Sequence, residues 1–303
     1  MKKNRSVFIA TSSFGKESPN PIKIFKSNKF KFKLNPLKRK LSENELIKNA
    51  KDYAYVIAGT EKYSKKVLSK LTKLKYIFRL GSGIENIDLN HAKKLKIKVE
   101  KSIITPEKPV AELIVGSMIN LLRKINSHDQ NMKKNIWKKE MGNLLYGKKV
   151  GIIGFGKVGK YLYKILKNFG VKIFIHDIKK IKFFKNYSID YIVNNCDIIS
   201  LNISLIKKIK ILNKKRLNKL KKNCLLINTS RAEAVDTQYL YKILKKRKIL
   251  GAYLDVFEKE PYYGKFTKLK NVLLSPHIGS YATEIRNEME VEASSKIIIN
   301  SKE

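Results

Sequence analysis

The sequence predicts an α/β protein of two doubly wound parallel-sheet domains, one inserted into the other. Three observations predict it. Short apolar runs alternate with helical patterns along most of the 303 residues, the pattern of βαβ units. Between Lys148 and Asp177, in KKVGIIGFGKVGKYLYKILKNFGVKIFIHD, three glycines at positions 154, 156 and 159 follow an apolar run and open a helix. Last, a helical tail, ATEIRNEMEVEASSKIIIN, follows the final strand and is long enough to return to the first domain.

Taken in order, RSVFIA, FKFKL, YAYVIAG, LKYIFRL and KIKVE read as strands, and SENELIKNAK, SKKVLSKL and NHAKKLK as the helices between them. Ser42 with Glu45 three residues on forms a capping box and marks a helix start. This makes residues 1–100 a small α/β domain, completed by residues 282–303. The long apolar helix PEKPVAELIVGSMINLLRKI, with prolines at its entry, carries the chain into a second domain over residues 101–281. There VGIIG, VKIFIH, CDIISLN, CLLINTS, ILGAYLDV and NVLLS read as buried parallel strands.

Each glycine of the loop has its own task. Gly154 permits the tight strand-to-helix turn, Gly156 lets the backbone approach a pyrophosphate, and Gly159 lets the helix pack close on the strand. The helix entered through Lys157 and Val158 offers unpaired N–H groups and a partial positive charge to phosphates. Asp177, 18 residues past Gly159, ends the second strand, where a carboxylate accepts from both hydroxyls of an adenosine ribose and repels a 2′-phosphate. A glycine-rich turn alone is a weak signal. Strand, helix, second strand and terminal acid in one register make it a dinucleotide site, with NAD favoured over NADP.

The net charge of +41 looks like a nucleic-acid signature, but 58 of the 66 basic residues are lysines spread along the chain. Specific readers of nucleic acid lean on arginine forks, so no specific nucleic-acid partner is expected, and the field instead draws in small anions. No apolar run reaches 18 residues, and VFIA near the N-terminus is too short for a signal-peptide core, so a cytoplasmic protein without membrane contact is expected. Cys196 and Cys224 lie in or beside strand-like runs, far from any CxxC pattern, and read as small buried side chains, with no metal site.

Three side chains stand near the carboxyl ends of late strands, where open α/β sheets bind ligands: Arg231 after LLINTS, Glu260 after LDVFEK and His277 after VLLSP. Taken singly, Arg231 is equally at home in a surface ion pair, Glu260 as a loop charge and His277 as a satisfied loop histidine. Together, behind a dinucleotide loop, they are the set that hydride chemistry on a hydroxy acid needs. The arginine fork holds a carboxylate, the histidine exchanges the hydroxyl proton, and the glutamate orients and charges the histidine.

GIIGFGKVGK, INTSRAEAVD, GAYLDVFEKEP and LLSPHIGS resemble the signature blocks of the D-isomer-specific 2-hydroxyacid dehydrogenases, while RLGSGIENIDL and VAELIVG resemble their substrate-domain and linker-helix blocks. The similarity is nearest the phosphoglycerate dehydrogenase-like branch. It implies a Rossmann-like NAD-binding domain inserted in a flavodoxin-like substrate domain, and an enzyme interconverting a D-2-hydroxy acid and its 2-keto acid. It implies Arg231 as substrate anchor, His277 as general acid/base and Glu260 as the partner that raises its pKa. Gly81, Ser82 and Gly83 are implied to touch substrate, Val110, Thr229 and Asp255 to lie by the cofactor, and two chains to pair through their cofactor domains. Among substrates, 3-phosphoglycerate ranks first, its phosphate served by Gly59 to Lys62, Arg79 and Leu80 to Gly83. A glyoxylate or hydroxypyruvate reductase is the alternative, and an NAD-sensing corepressor the reading of another class. Several positions depart from the family pattern: Ala232 and Glu233 where glycines are usual, Asn202 for a histidine, Ser204 for a proline, and Pro106 for a polar residue.

Overall fold

The computed structural model describes residues 5–81, 83–204 and 210–302. The chain divides into two compact units, residues 1–106 with 281–303, and residues 107–280.

The first unit holds a parallel sheet of β1 (Ser6–Ile9), β2 (Lys31–Leu34), β3 (Tyr55–Ala58), β4 (Tyr76–Arg79) and β5 (Lys98–Lys101), in the order β2-β1-β3-β4-β5. Period-two alternation sends successive side chains to opposite faces. Phe8, Val56, Ala58 and Ile77 pack against α2 (Glu43–Ala50), α3 (Lys65–Lys70) and α4 (Leu89–Lys94). Val7, Ile9, Tyr55, Ile57, Tyr76 and Phe78 pack with Phe25 of α1 (Asn20–Ser27) and with Met289, Ala293, Ile297 and Ile298 of α11 (Thr283–Asn300). Coverage on both faces makes the inner strands β1, β3 and β4 mainly apolar and buried, whereas the edge strands β2 and β5 alternate with exposed lysines. The capping box is present, Ser42 Oγ accepting from the Glu45 N–H while the Glu45 carboxylate accepts from Ser42 N–H. Arg286 and Glu290 of α11 form a buried ion pair at 2.7 Å, and Glu290 also accepts from the Gly15 N–H at 2.8 Å.

In the second unit, six parallel strands stand in the order β11-β10-β9-β8-β6-β7, with β6 Lys149–Ile153, β7 Lys172–His176, β8 Ile198–Leu201, β9 Leu225–Asn228, β10 Gly251–Leu254 and β11 Val272–Leu274. On one face, Val150, Ile152, Ile198, Ile227 and Tyr253 pack against α5 (Glu107–Arg123) and α7 (Lys157–Leu166). On the other, Ile153, Ile199, Leu226 and Leu254 meet α8 (Ile189–Asn195), α9 (Lys214–Asn218) and α10 (Thr237–Lys245). The short α6 (Ile125–Met132) follows α5. Strand order reverses between β6 and β8, so the loops after these strands part to opposite sides and leave a crevice at the carboxyl edge. Cys196 and Cys224 are buried free thiols, and burial pushes the Cys196 thiol up to about 12. Among the described residues, no helix is long and apolar enough to cross a membrane, and no group of His, Cys, Asp and Glu is arranged to hold a metal ion.

Candidate active site

The glycine loop lies at this reversal, between β6 and α7. Gly154 has φ +97°, a left-handed value that L side chains rarely adopt, and a Cβ there would stand 2.5 Å from the Asn202 carbonyl after β8. A Cβ on Gly159 would stand 2.1 Å from the Gly154 carbonyl, so only glycine lets α7 sit this close to β6. Gly156 differs from both. It is exposed, is the N-cap of α7 with no side chain capping the helix, and a Cβ on it would meet nothing within 4 Å. A helix N-terminus with open space at Gly156, next to Lys157 and Val158, presents backbone N–H groups to an anion, and the residues present fit the pyrophosphate of a dinucleotide. Asp177, half-buried at the end of β7, accepts from the Phe155 N–H at 2.6 Å and the Lys179 N–H at 2.9 Å. It ties the second strand to the glycine loop.

The proton-transfer candidates come together at the same carboxyl edge, beyond β10 and β11. His277 follows β11 with φ +57°, unusual for a non-glycine residue. Its Nδ1 lies 3.1 Å from both carboxylate oxygens of Glu260, which comes from the loop after β10. Glu260 is held in turn by the Phe257 N–H at 3.2 Å, and the Phe257 and Tyr262 rings stack at 4.1 Å to stiffen that loop. With Nδ1 engaged by the carboxylate, Nε2 is the ring nitrogen left for a substrate.

Asp255, fully buried just past β10, receives three donors: the Ser275 hydroxyl, the Ile278 N–H at 2.8 Å and the Gly279 N–H at 2.9 Å. Burial pushes its carboxyl up, and the Ser275 hydrogen bond is the largest influence drawing it back. A Cβ on Gly279 would stand 3.2 Å from both Asp255 Oδ2 and Val110 Cγ2, which puts Val110 of α5 beside the same turn. The sequence reading did not single out Ser275, Tyr253 or Gly279.

Thr229 and Arg231 follow β9, the strand beside β10. Both are half-buried, and Arg231 donates from Nη1 to the Ser230 carbonyl at 2.8 Å. Ala232 and Glu233 form a short 3₁₀ turn, Ala232–Ala234, in which Ala232 is buried and Glu233 exposed, so alanine is accommodated without a left-handed backbone. In the first unit, Gly81 has φ +143° and its missing side chain leaves room for the Arg79 guanidinium; Gly83 is half-buried, and Ser82 lies outside the described residues.

Three comparisons bear on this arrangement. A model of the D-isomer specific 2-hydroxyacid dehydrogenase NAD binding domain matches residues 115–279. The chain is 36% identical to glyoxylate reductase of Thermococcus litoralis over 82% of this chain and 80% of that one. It is 28% identical to D-3-phosphoglycerate dehydrogenase of Haemophilus influenzae over 86% of this chain and 67% of that one. Among solved structures, the apo form of D-lactate dehydrogenase from Escherichia coli superposes with a TM-score of 0.86 at 26% identity, covering 98% of this chain and 97% of that one.

Proposed function

We propose that this chain, which belongs to the D-isomer-specific 2-hydroxyacid dehydrogenases and so is an NAD-dependent oxidoreductase, reduces a small unphosphorylated 2-keto acid of the glyoxylate or hydroxypyruvate kind. The observation that carries the reading is the His277–Glu260 pair, an imidazole held at Nδ1 with Nε2 left over. Gly154, Gly156, Lys157, Val158 and Gly159, with Asp177 for the ribose, would hold NAD, whose reduced form, NADH, would supply the hydride for reduction. His277 then donates the proton from Nε2 to the carbonyl oxygen of the keto acid, Glu260 stabilises the ring's charge, and the Arg231 fork holds the carboxylate. Val110 and Thr229 line the cofactor.

Against a phosphorylated substrate stands the state of its proposed donors. The Gly59 N–H donates to Glu61 Oε1 at 2.6 Å, and the Tyr63 hydroxyl to the same oxygen at 3.0 Å. Arg79 donates to the Leu80 carbonyl and, at 3.4 Å, to Asn86. The Glu61 carboxyl, nearly fully buried, thus already takes donors that a phosphate at this loop would need. The greater identity to a glyoxylate reductase points the same way.

A panel of glyoxylate, hydroxypyruvate, pyruvate and phosphohydroxypyruvate with NADH tests the reading. We expect kcat/KM to be highest for one of the first two and indifferent to inorganic phosphate. A preference for the phosphorylated acid, competed by phosphate, overturns it in favour of the phosphoglycerate reading. We also read the chain as a homodimer paired through its cofactor units. The support is the irregular stretch after α6, where Trp137, Met141 and Tyr146 are 78%, 91% and 73% exposed. A monomeric mass in light scattering counts against it.

A further inference from the structure

We propose that Ser275 is a positioning residue for the reaction: its hydroxyl, backed by Tyr253, sets the Asp255 carboxylate that holds the backbone just past His277, and so aims the imidazole at Glu260. The inference rests on the reading above that His277 carries the proton.

A hydrogen-bond chain that starts in the core at Tyr253 carries it. The Tyr253 hydroxyl lies 2.6 Å from Ser275 Oγ, and the Ser275 hydroxyl donates to Asp255 Oδ1. Since the only hydroxyl proton of Ser275 goes to the carboxylate, Tyr253 must be the donor to Ser275. The proton order is then fixed along Tyr253, Ser275 and Asp255, and each oxygen of Asp255 takes one backbone N–H from the turn, Oδ1 from Ile278 and Oδ2 from Gly279. These two amides follow directly on His277, whose left-handed backbone persists only where its surroundings over-determine it. Tyr253 sits in β10 with its ring in the core, so the chain is anchored to the sheet and not to a loop. Ser275 also pairs through its own N–H with the Leu254 carbonyl at 3.2 Å, which fixes where its hydroxyl is presented. Without that hydroxyl, the buried Tyr253 and Asp255 each lose a partner, and the turn is free to relax toward an ordinary backbone conformation.

The test compares Ser275→Ala, Ser275→Cys and Ser275→Thr with the wild type. Steady-state kinetics with NADH and the best keto acid are measured beside the histidine Cε1–H resonances of each protein without ligand. The chain has four histidines, and the His277 resonance is assigned by its loss in His277→Ala. For Ser275→Ala we expect kcat to fall roughly ten- to a hundredfold, the scale of a small misplacement of a reacting group, with KM for NADH within about twofold. The His277 resonance should shift or broaden while the other three stay in place, and Ser275→Thr should restore both readouts. Ser275→Cys keeps the volume with a weak donor and serves if the alanine variant does not fold; it should move both readouts in the same direction. An unmoved His277 resonance, with or without a fall in kcat, overturns the proposal. Should the wild type consume NADH with no 2-keto acid, the functional reading falls, and the resonances still decide whether Ser275 positions His277.

Discussion

Replacing Gly156 and Gly159 by alanine, one at a time, separates the glycine that serves the cofactor from the one that serves the fold. At Gly159 the new Cβ would lie 2.1 Å from the Gly154 carbonyl oxygen and 3.1 Å from its carbon, both backbone atoms that no rotamer change can move. Relief requires α7 to withdraw from β6 by about 1 Å. Overpacking of this kind costs about 3 kcal/mol at its upper end. The better helix propensity of alanine offsets about 1 kcal/mol of it, leaving about 2 kcal/mol and a fall in Tm of about 4–8 °C for a unit of this size. At Gly156 the new Cβ meets nothing, and φ −72° with ψ −159° suits any residue. Alanine is a poorer N-cap by a few tenths to about 1 kcal/mol, and the lower entropy of its unfolded chain offsets about the same. Tm should therefore stay within about 2 °C. That Cβ does project into the space above the helix N-terminus, so Kd for NADH should rise at least about tenfold, or about 1.4 kcal/mol. Thermal melts by circular dichroism and calorimetric titration with NADH read the two effects separately. If Gly156→Ala binds NADH as tightly as the wild type, the pyrophosphate does not lie over that residue and the cofactor assignment of the loop is wrong.

His277→Ala should lower kcat by about two to four orders of magnitude, the worth of a positioned acid/base group, while NADH binding measured by calorimetry stays unchanged. Arg231→Lys replaces a bidentate fork by a point charge and should raise KM for the keto acid about tenfold, an outcome that initial-rate kinetics would contradict if KM stayed put. Glu290→Ala strands the buried Arg286 and the Gly15 N–H, and urea unfolding should show a loss of about 3–5 kcal/mol. Glu45 is held at about 2, first by the Arg39 side chain and then by the Ser42 N–H, against an ordinary value of 4.5. A depressed carboxylate contributes stability above its unfolded value and loses it as pH falls toward the folded one. The Tm advantage of wild type over Glu45→Gln should accordingly be full above pH 4.5 and shrink as pH approaches about 2; a pH-independent gap would refute the pairing.

Reading the strands was straightforward because both sheets are covered on two faces, so burial demands unbroken apolar runs such as Tyr55–Ala58 and Ile198–Leu201. The capping box at Ser42 was equally plain, since its partners are three residues apart. Helix α1 was not read, because Pro19 and Pro21 look like breakers; they stand at the helix entry, where the missing N–H has no partner to lose. The short α6 is not legible in the sequence either, having no buried residue to give it an apolar face.

Whatever depends on neighbours along the chain was therefore determined by the sequence alone: the strands, the glycine loop with its left-handed turn at Gly154, and the residue types able to carry hydride chemistry. Tertiary structure decided which of these residues meet. Glu260 reaches His277 across 17 residues and Ser275 reaches Asp255 across 20, contacts that exist only because β10 and β11 lie side by side. In the first unit Glu61, which as sequence is only a charge near a loop, turns inward to take the Gly59 N–H and the Tyr63 hydroxyl. Its donors stand two residues away on either side, yet its burial is decided by the fold, because a polar group leaves water only where the surrounding core covers it.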